Sequence, residues 1–157
     1  MTASRPTLAF AMALGLAAPV AQAAPPPAYK ACAACHLANG KGVPGAFPPL
    51  AGRVAPIAAT PGGRRYLVDV MAIGLSGQIT VGSTVYRGFM PRQVLSAADA
   101  AAVLNYLGTE AGDPKTAAKF KPFTAAEVEQ LRKASAGRTP ADIAKTRLAV
   151  VPDAGRR

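Results

Sequence analysis

The run Cys32-Ala33-Ala34-Cys35-His36 decides how this chain is read. Two thiols three positions apart, followed at once by an imidazole, form the C-x-x-C-H pattern of c-type haem attachment. On one helical turn the two sulfurs can reach the two vinyl groups on one edge of a porphyrin and form thioethers. The adjacent His36 then stands beneath the iron as an axial ligand. Other uses of the motif fail on counting. A thioredoxin-like redox pair follows a strand and opens a helix in a βαβ unit, and the surrounding sequence predicts no such unit. A structural zinc needs four ligands, whereas this chain has two Cys and one His, all within the motif. With no second His, neither a His-based triad nor a further His metal site can be assembled elsewhere.

Upstream of the motif, Met1 to Ala23 carries one charge, Arg5, then the apolar run Leu8 to Ala18, and ends in Ala21-Gln22-Ala23. This is the layout of a secretory signal with an A-x-A cleavage site, so residues 1–23 are expected to be removed after Ala23. The apolar stretch is short and rich in Ala for a membrane anchor, and no later segment has the length and apolarity of a span. Export suits the motif, because thioether formation takes reduced cysteines and haem together outside the cytoplasm. A periplasmic location follows for a host with an outer membrane.

Without Arg5, seventeen basic residues face eight acidic ones. Residues 30–112 hold seven bases and three acids, and residues 113–157 hold ten and five. Nucleic acid is an unsuitable partner for an exported chain whose few aromatics are not interleaved with its bases. An acidic protein surface, or an anionic membrane surface, fits the charge better.

Residues 24–30, Ala-Pro-Pro-Pro-Ala-Tyr-Lys, keep the motif helix from starting before about Ala28. Residues 38–63 are rich in Gly and Pro and read as a loop wrapped around one haem edge, their glycines matching no phosphate-loop spacing. Arg64 to Leu75 reads as a helix with Tyr66, Leu67, Val70, Met71 and Ile73 on one face. Ile79 to Tyr86 reads as a short hairpin about Gly82-Ser83, and Arg87 to Gln93 as loop. Ser96, with Asp99 three positions on, caps a helix to about Thr109 whose buried stripe is Val103, Leu104, Tyr106 and Leu107. Beyond it, Thr124-Ala125-Ala126-Glu127 and Thr139-Pro140-Ala141-Asp142 open two short amphipathic helices.

Residues 24–157 contain two methionines. Met71 falls on the apolar face of its helix, where core filling is expected. Met90 lies in Tyr86-Arg87-Gly88-Phe89-Met90-Pro91, where Gly88 and Pro91 mark a turn able to aim its side chain. A thioether opposite His36 gives the His/Met iron of a cytochrome c.

Taken together, Cys32 to His36, Phe47-Pro48-Pro49-Leu50-Ala51-Gly52, Tyr86 to Pro91 and the helix Asp99 to Leu107 resemble the class I cytochrome c family over about residues 28–110. That resemblance implies a small all-α haem domain, here over residues 24–112, followed by a basic helical extension over 113–157. It implies one haem c, covalently held by Cys32 and Cys35, with His36 and Met90 on the iron. It also implies that the Pro48 carbonyl accepts a hydrogen bond from His36, which orients the ring. Gly40 to Gly52 and Gly77 to Pro91 look like exported bacterial cytochromes that accompany dehydrogenases. Two departures stand out. Only about one turn precedes Cys32, where the family usually crosses a longer N-terminal helix over the C-terminal one, and the tail exceeds the minimal domain.

The function expected is one-electron transfer, with a dehydrogenase as donor and a cytochrome or terminal oxidase as acceptor, rather than enzyme chemistry of its own. Arg53, Arg64, Arg65, Tyr86 and Arg87 are candidates to hold the haem propionates or to line the docking face. A haem protein with a labile sixth site, binding a gas or activating peroxide, is the alternative, and Met90 separates the two. In a third reading the tail is an interaction module and the haem mainly helps the domain to fold.

Overall fold

A computed structural model describes residues 24–152, and the expected leader over residues 1–23 lies outside them. A 3-10 turn at Pro27–Tyr29 leads directly into α1 (Lys30–His36). Then come α2 (Val54–Ala58), α3 (Gly63–Ala72), strands β1 (Leu75–Val81) and β2 (Thr84–Met90), and α4 (Ala97–Gly108). The tail forms α5 (Pro114–Ala117), α6 (Ala125–Ala134) and α7 (Pro140–Val150). The molecule is thus helical with one antiparallel ribbon.

The caps follow the sequence. Ser96 accepts from the Asp99 amide, Thr124 from the Glu127 amide, and Thr139 with Asp142 closes a full capping box behind Pro140. Three boundaries differ from expectation. The segment 38–63 contains α2, because Val54, Ala55 and Ile57 turn one face into the core. The α3 helix ends at Ala72, three residues short of Leu75, because Leu75 already pairs with Met90 across the ribbon. The hairpin therefore extends over Leu75–Val81 and Thr84–Met90, and Arg87 to Met90, expected as loop, is strand. Gly82, at φ +58, supplies the positive φ needed at the first central position of the two-residue turn.

The short N-terminal turn still reaches α4. Tyr29 is almost fully buried, and its ring lies 5.3 Å from that of Tyr106 at 57°. With only about one turn before Cys32, as the sequence predicts, this tilted aromatic contact is what joins the N-terminal turn to α4.

The tail helices pack on the rest of the chain, α6 against α3 and α4, and α7 against α3 and β1. Phe123, Val128, Ile143, Val150 and Val151 join one core with Tyr66, Val68, Met71, Val103 and Leu104. Polar clasps fix this packing. Asn105 and the Phe123 backbone exchange two hydrogen bonds, at 2.7 and 3.0 Å. Arg64 forks onto the Glu127 carboxylate with two bonds of 2.6 Å and lies 3.7 Å above the Phe123 ring centroid. That hydrogen bond is the main reason the Glu127 carboxyl is held below its ordinary value. Asp69, fully buried, accepts from Ser135 and Arg138 and sits 3.7 Å from Arg65 Nε. Arg64 and Arg65, proposed from the sequence for propionates or docking, instead fasten the tail, because Glu127 and the Ala134–Ser135 turn lie over α3.

A shared core should unfold as one unit. Ile143→Ala is expected to cost about 2–5 kcal/mol, the range for truncating a fully buried Ile. Calorimetric and van't Hoff enthalpies should agree in a single transition. A separate low-temperature transition for the tail would contradict this packing.

Candidate haem site

The site begins with α1. This short helix sets Cys32 against the core and leaves Cys35 half-exposed. Burial raises the Cys32 thiol, opposed in part by a hydrogen bond to the backbone. His36 closes the helix and is buried. Its Nδ1 lies 2.7 Å from the Pro48 carbonyl oxygen. A carbonyl oxygen only accepts, so Nδ1–H donates and the Nε2 lone pair is left for a metal. Burial lowers the His36 pKa, with the Pro48 bond acting the other way, and so favours the neutral imidazole that a metal ligand must be.

The segment from Leu37 to Arg53 brings Pro48 to that position. The Gly42 amide bonds the His36 carbonyl at 2.9 Å, and the Leu50 and Ala51 amides both bond the Gly40 carbonyl. Val43 and Phe47 form an isolated antiparallel bridge. Tyr29 donates to the Leu37 carbonyl at 2.9 Å, its phenol pushed up to about 12 chiefly by burial. Gly42 is required twice over. Its φ is +66, and a Cβ there would lie 2.3 Å from the Phe47 carbonyl oxygen and 2.7 Å from that of Pro48.

Two adjoining hollows share Cys32, His36, Pro48, Leu75, Ile79 and Met90 in their walls. The inner one encloses about 820 Å³, part of it open to solvent, and its walls are mostly aliphatic, with Met71 among them. Arg53 and Arg147 are its charged lining residues. The outer one, about 1310 Å³, adds Cys35, Phe47, Tyr86, Arg87 and Phe89. An apolar space bordered by two thiols, an oriented imidazole and a thioether fits a haem in its donor chemistry.

The structure thus brings Cys32, Cys35, His36, Pro48 and Met90 to one cleft, with Arg53 on its inner part and Tyr86 and Arg87 on its outer part. Met90 gets there differently from expectation. It is the last residue of β2, held by its pairing with Leu75, and not part of a turn. Met71 is buried as expected, yet it too faces the inner hollow. Sequence reading missed Arg147, which α7 carries into the inner hollow at 5% exposure and which donates to the Thr80 carbonyl at 2.8 Å. The signal was its spacing: Ile143, Arg147 and Val150 fall at helical intervals on one buried face.

A helix presenting two thiols and an oriented imidazole to an apolar slot defines a covalent haem protein of the c type. Comparison with known proteins gives the same class. The family described as Cytochrome c matches residues 27–111. A cytochrome c-552 of Thermus thermophilus is 50% identical over 129 residues, covering 82% of this chain and 86% of that protein. A second Thermus thermophilus cytochrome c-552 is 53% identical over 105 residues, 66% of this chain and 80% of its own length. The chain belongs to the cytochrome c family, as a class I monohaem cytochrome with one covalent c-type haem. Its activity is electron transfer between redox partners.

Replacing Gly42 tests the geometry that sets the His36 ring. Gly42→Ala is expected to cost about 1–3 kcal/mol for the positive φ alone and to force Phe47 and Pro48 away. The urea midpoint should fall, and the ¹⁵N shift of His36 Nδ1 should move toward that of a more weakly hydrogen-bonded ring. An unmoved Nδ1 shift would show that the Pro48 bond does not depend on this close approach.

Proposed function

We propose that Cys32 and Cys35 hold the haem, that His36 and Met90 bind its iron, and that the protein carries electrons in the periplasm. Its donor is a dehydrogenase, which it serves as acceptor or cytochrome subunit, and a cytochrome or terminal oxidase takes the electron onward. The observation carrying this reading is the cleft itself: His36 has Nδ1 committed to Pro48, and Met90 borders both hollows with it, whereas Met71 borders only the inner one. When bound, the haem supplies an iron that gains and loses one electron.

The residues do the rest. The two thiols fix the cofactor to α1. The Pro48 carbonyl orients His36 and increases its basicity. The Met90 thioether would supply the iron's second protein ligand, which favours a carrier over a gas-binding or peroxide-activating protein. Aliphatic walls exclude water and so limit reorganisation as the charge changes. Residues 24–112 make up the haem domain and 113–157 its basic extension. Phe47 and Phe89, both exposed, flank the outer hollow beside Arg87, a surface suited to an acidic partner. Contact with an anionic membrane surface is the other use of this charge. The leader-like sequence of residues 1–23 supports the periplasmic reading, and no helix among the described residues is long and apolar enough to cross a membrane.

Spectra of the periplasmically expressed protein test the assignment. The mature chain should begin at Ala24 and carry covalent haem, with a sulfur-to-iron charge-transfer band when oxidised. Met90→Ala should lose that band and bind carbon monoxide when reduced, whereas Met71→Ala should keep the band. A band that survives in Met90→Ala and vanishes in Met71→Ala would reverse the ligand assignment. A wild-type protein without the band would move the gas-binding reading ahead.

A further inference from the structure

The α3 helix and the segment carrying Met90 meet at Gly74. α3 sends Tyr66, Leu67, Val70 and Met71 into the wall of the inner hollow, and Met90, Pro91 and Gln93 border the outer one. Gly74 stands between them, two residues past Ala72, the last of α3, and next to Leu75, the first of β1. Its amide donates to the Val70 carbonyl at 3.1 Å, and its φ is +98. A glycine with positive φ bonded back in this way is a common helix stop.

A helix stop accounts for the φ but not for what lies opposite. A Cβ on Gly74 would stand 2.5 Å from the Met90 carbonyl oxygen, 3.2 Å from the Arg92 amide nitrogen and 3.4 Å from the Pro91 carbonyl carbon. All three are backbone atoms, so no side chain can swing aside to make room. Positive φ does not by itself bring such crowding. Gly137, in the turn between α6 and α7, has φ +82 and nothing within 4 Å of where a Cβ would stand. The approach at Gly74 is also held on both sides. Leu75, the next residue, pairs with Met90. The Gln93 amide donates to the Met71 carbonyl at 2.7 Å, and the Gln93 side chain donates to the Pro91 carbonyl at 2.8 Å. Residues 90–93 are therefore seated on the end of α3, backbone against backbone, and position 74 admits only a hydrogen atom there.

We propose that Gly74 is a positioning residue for the Met90 ligand: by letting the end of α3 meet the Met90 backbone directly, it sets how the thioether stands in the cleft. This rests on the reading of Met90 as an iron ligand. Gly74 then does for the Met90 side what Gly42 does for the His36 side. His/Met ligation raises the potential and so favours reduced iron. The oxidised protein is accordingly where a displaced Met90 gives way first to a nitrogen ligand.

The test is an imidazole titration of the oxidised, matured holoprotein, followed by loss of the sulfur-to-iron band. Gly74→Ala should keep its covalent haem and bind imidazole at least about tenfold more tightly than the wild type, equivalent to about 1.4 kcal/mol lost from the Met90 side. Gly74→Asn should behave in the same way, because Asn tolerates positive φ but brings the same Cβ. Gly137→Ala should lower the melting temperature and leave the imidazole affinity unchanged, since it carries the strain without the crowding. A Gly74 that merely ends α3 would give another pattern: wild-type imidazole affinity in Gly74→Asn, whatever its melting temperature. That pattern would overturn the proposal, as would imidazole binding in Gly137→Ala as tight as in Gly74→Ala. Should neither Gly74 variant mature, the wild type decides. Imidazole binding should open the Gln93 amide to hydrogen exchange, because Met90 and its seat shift together, and an amide that stays protected with Met90 displaced would overturn the proposal. Failure of the ligand reading shows separately, as a wild type without the band or a band that survives Met90→Ala.

Discussion

The bond from His36 Nδ1 to the Pro48 carbonyl is the constraint on which the rest of this structure depends. A ring at the end of a seven-residue helix could turn freely about its side-chain torsions. One carbonyl, delivered from twelve residues downstream, fixes both its tautomer and its plane. That delivery accounts for the glycine at position 42, for the bridge between Val43 and Phe47, and for the two amides gathered on the Gly40 carbonyl. The segment from Leu37 to Arg53 forgoes regular structure while its backbone polar groups find partners within the segment and in the His36 ring, the Tyr29 hydroxyl and the Ala111 carbonyl.

Much of this was legible in the sequence, and the limits of that reading have physical causes. Covalent chemistry left the plainest trace, since Cys32, Cys35 and His36 must stand at fixed spacing on one turn. The capped helices were readable because Ser96, Thr124 and Thr139 act within a few residues of themselves. The ribbon was read too short. Gly77 and Gly88 look like breakers in a local window, yet they pair with each other across the ladder, where neither has a side chain to clash. A pairing of that kind is non-local, and local pattern does not contain it.

The same limit explains the arginines. Four of them, Arg64, Arg65, Arg138 and Arg147, each have at least one partner 63 or more residues away in sequence. By composition alone they count toward a basic surface. In the fold Arg64 neutralises Glu127, Arg138 neutralises the buried Asp69, and Arg147 is withdrawn from the surface. The charge available for long-range attraction to a partner is therefore smaller than the sequence count implies. It lies more on residues such as Lys133 and Lys145, whose side chains are largely exposed.

The placement of Met90 joins these two lines of argument. A methionine on a free loop would carry the full conformational entropy of that loop into any bond it makes. Here it ends a strand whose register is fixed from Val81–Thr84 at the turn to Leu75–Met90 at the base. The partner strand β1 is in turn covered by α7, and Arg147 bonds the Thr80 carbonyl on that strand. An isolated two-stranded ribbon is only marginally stable in water. The tail helix thus supplies the packing that a two-stranded ribbon lacks, and the Met90 side of the cleft depends on residues outside the segment that matches the family. For this chain, the place of the Met90 thioether rests on both the segment that matches the family and the tail beyond it.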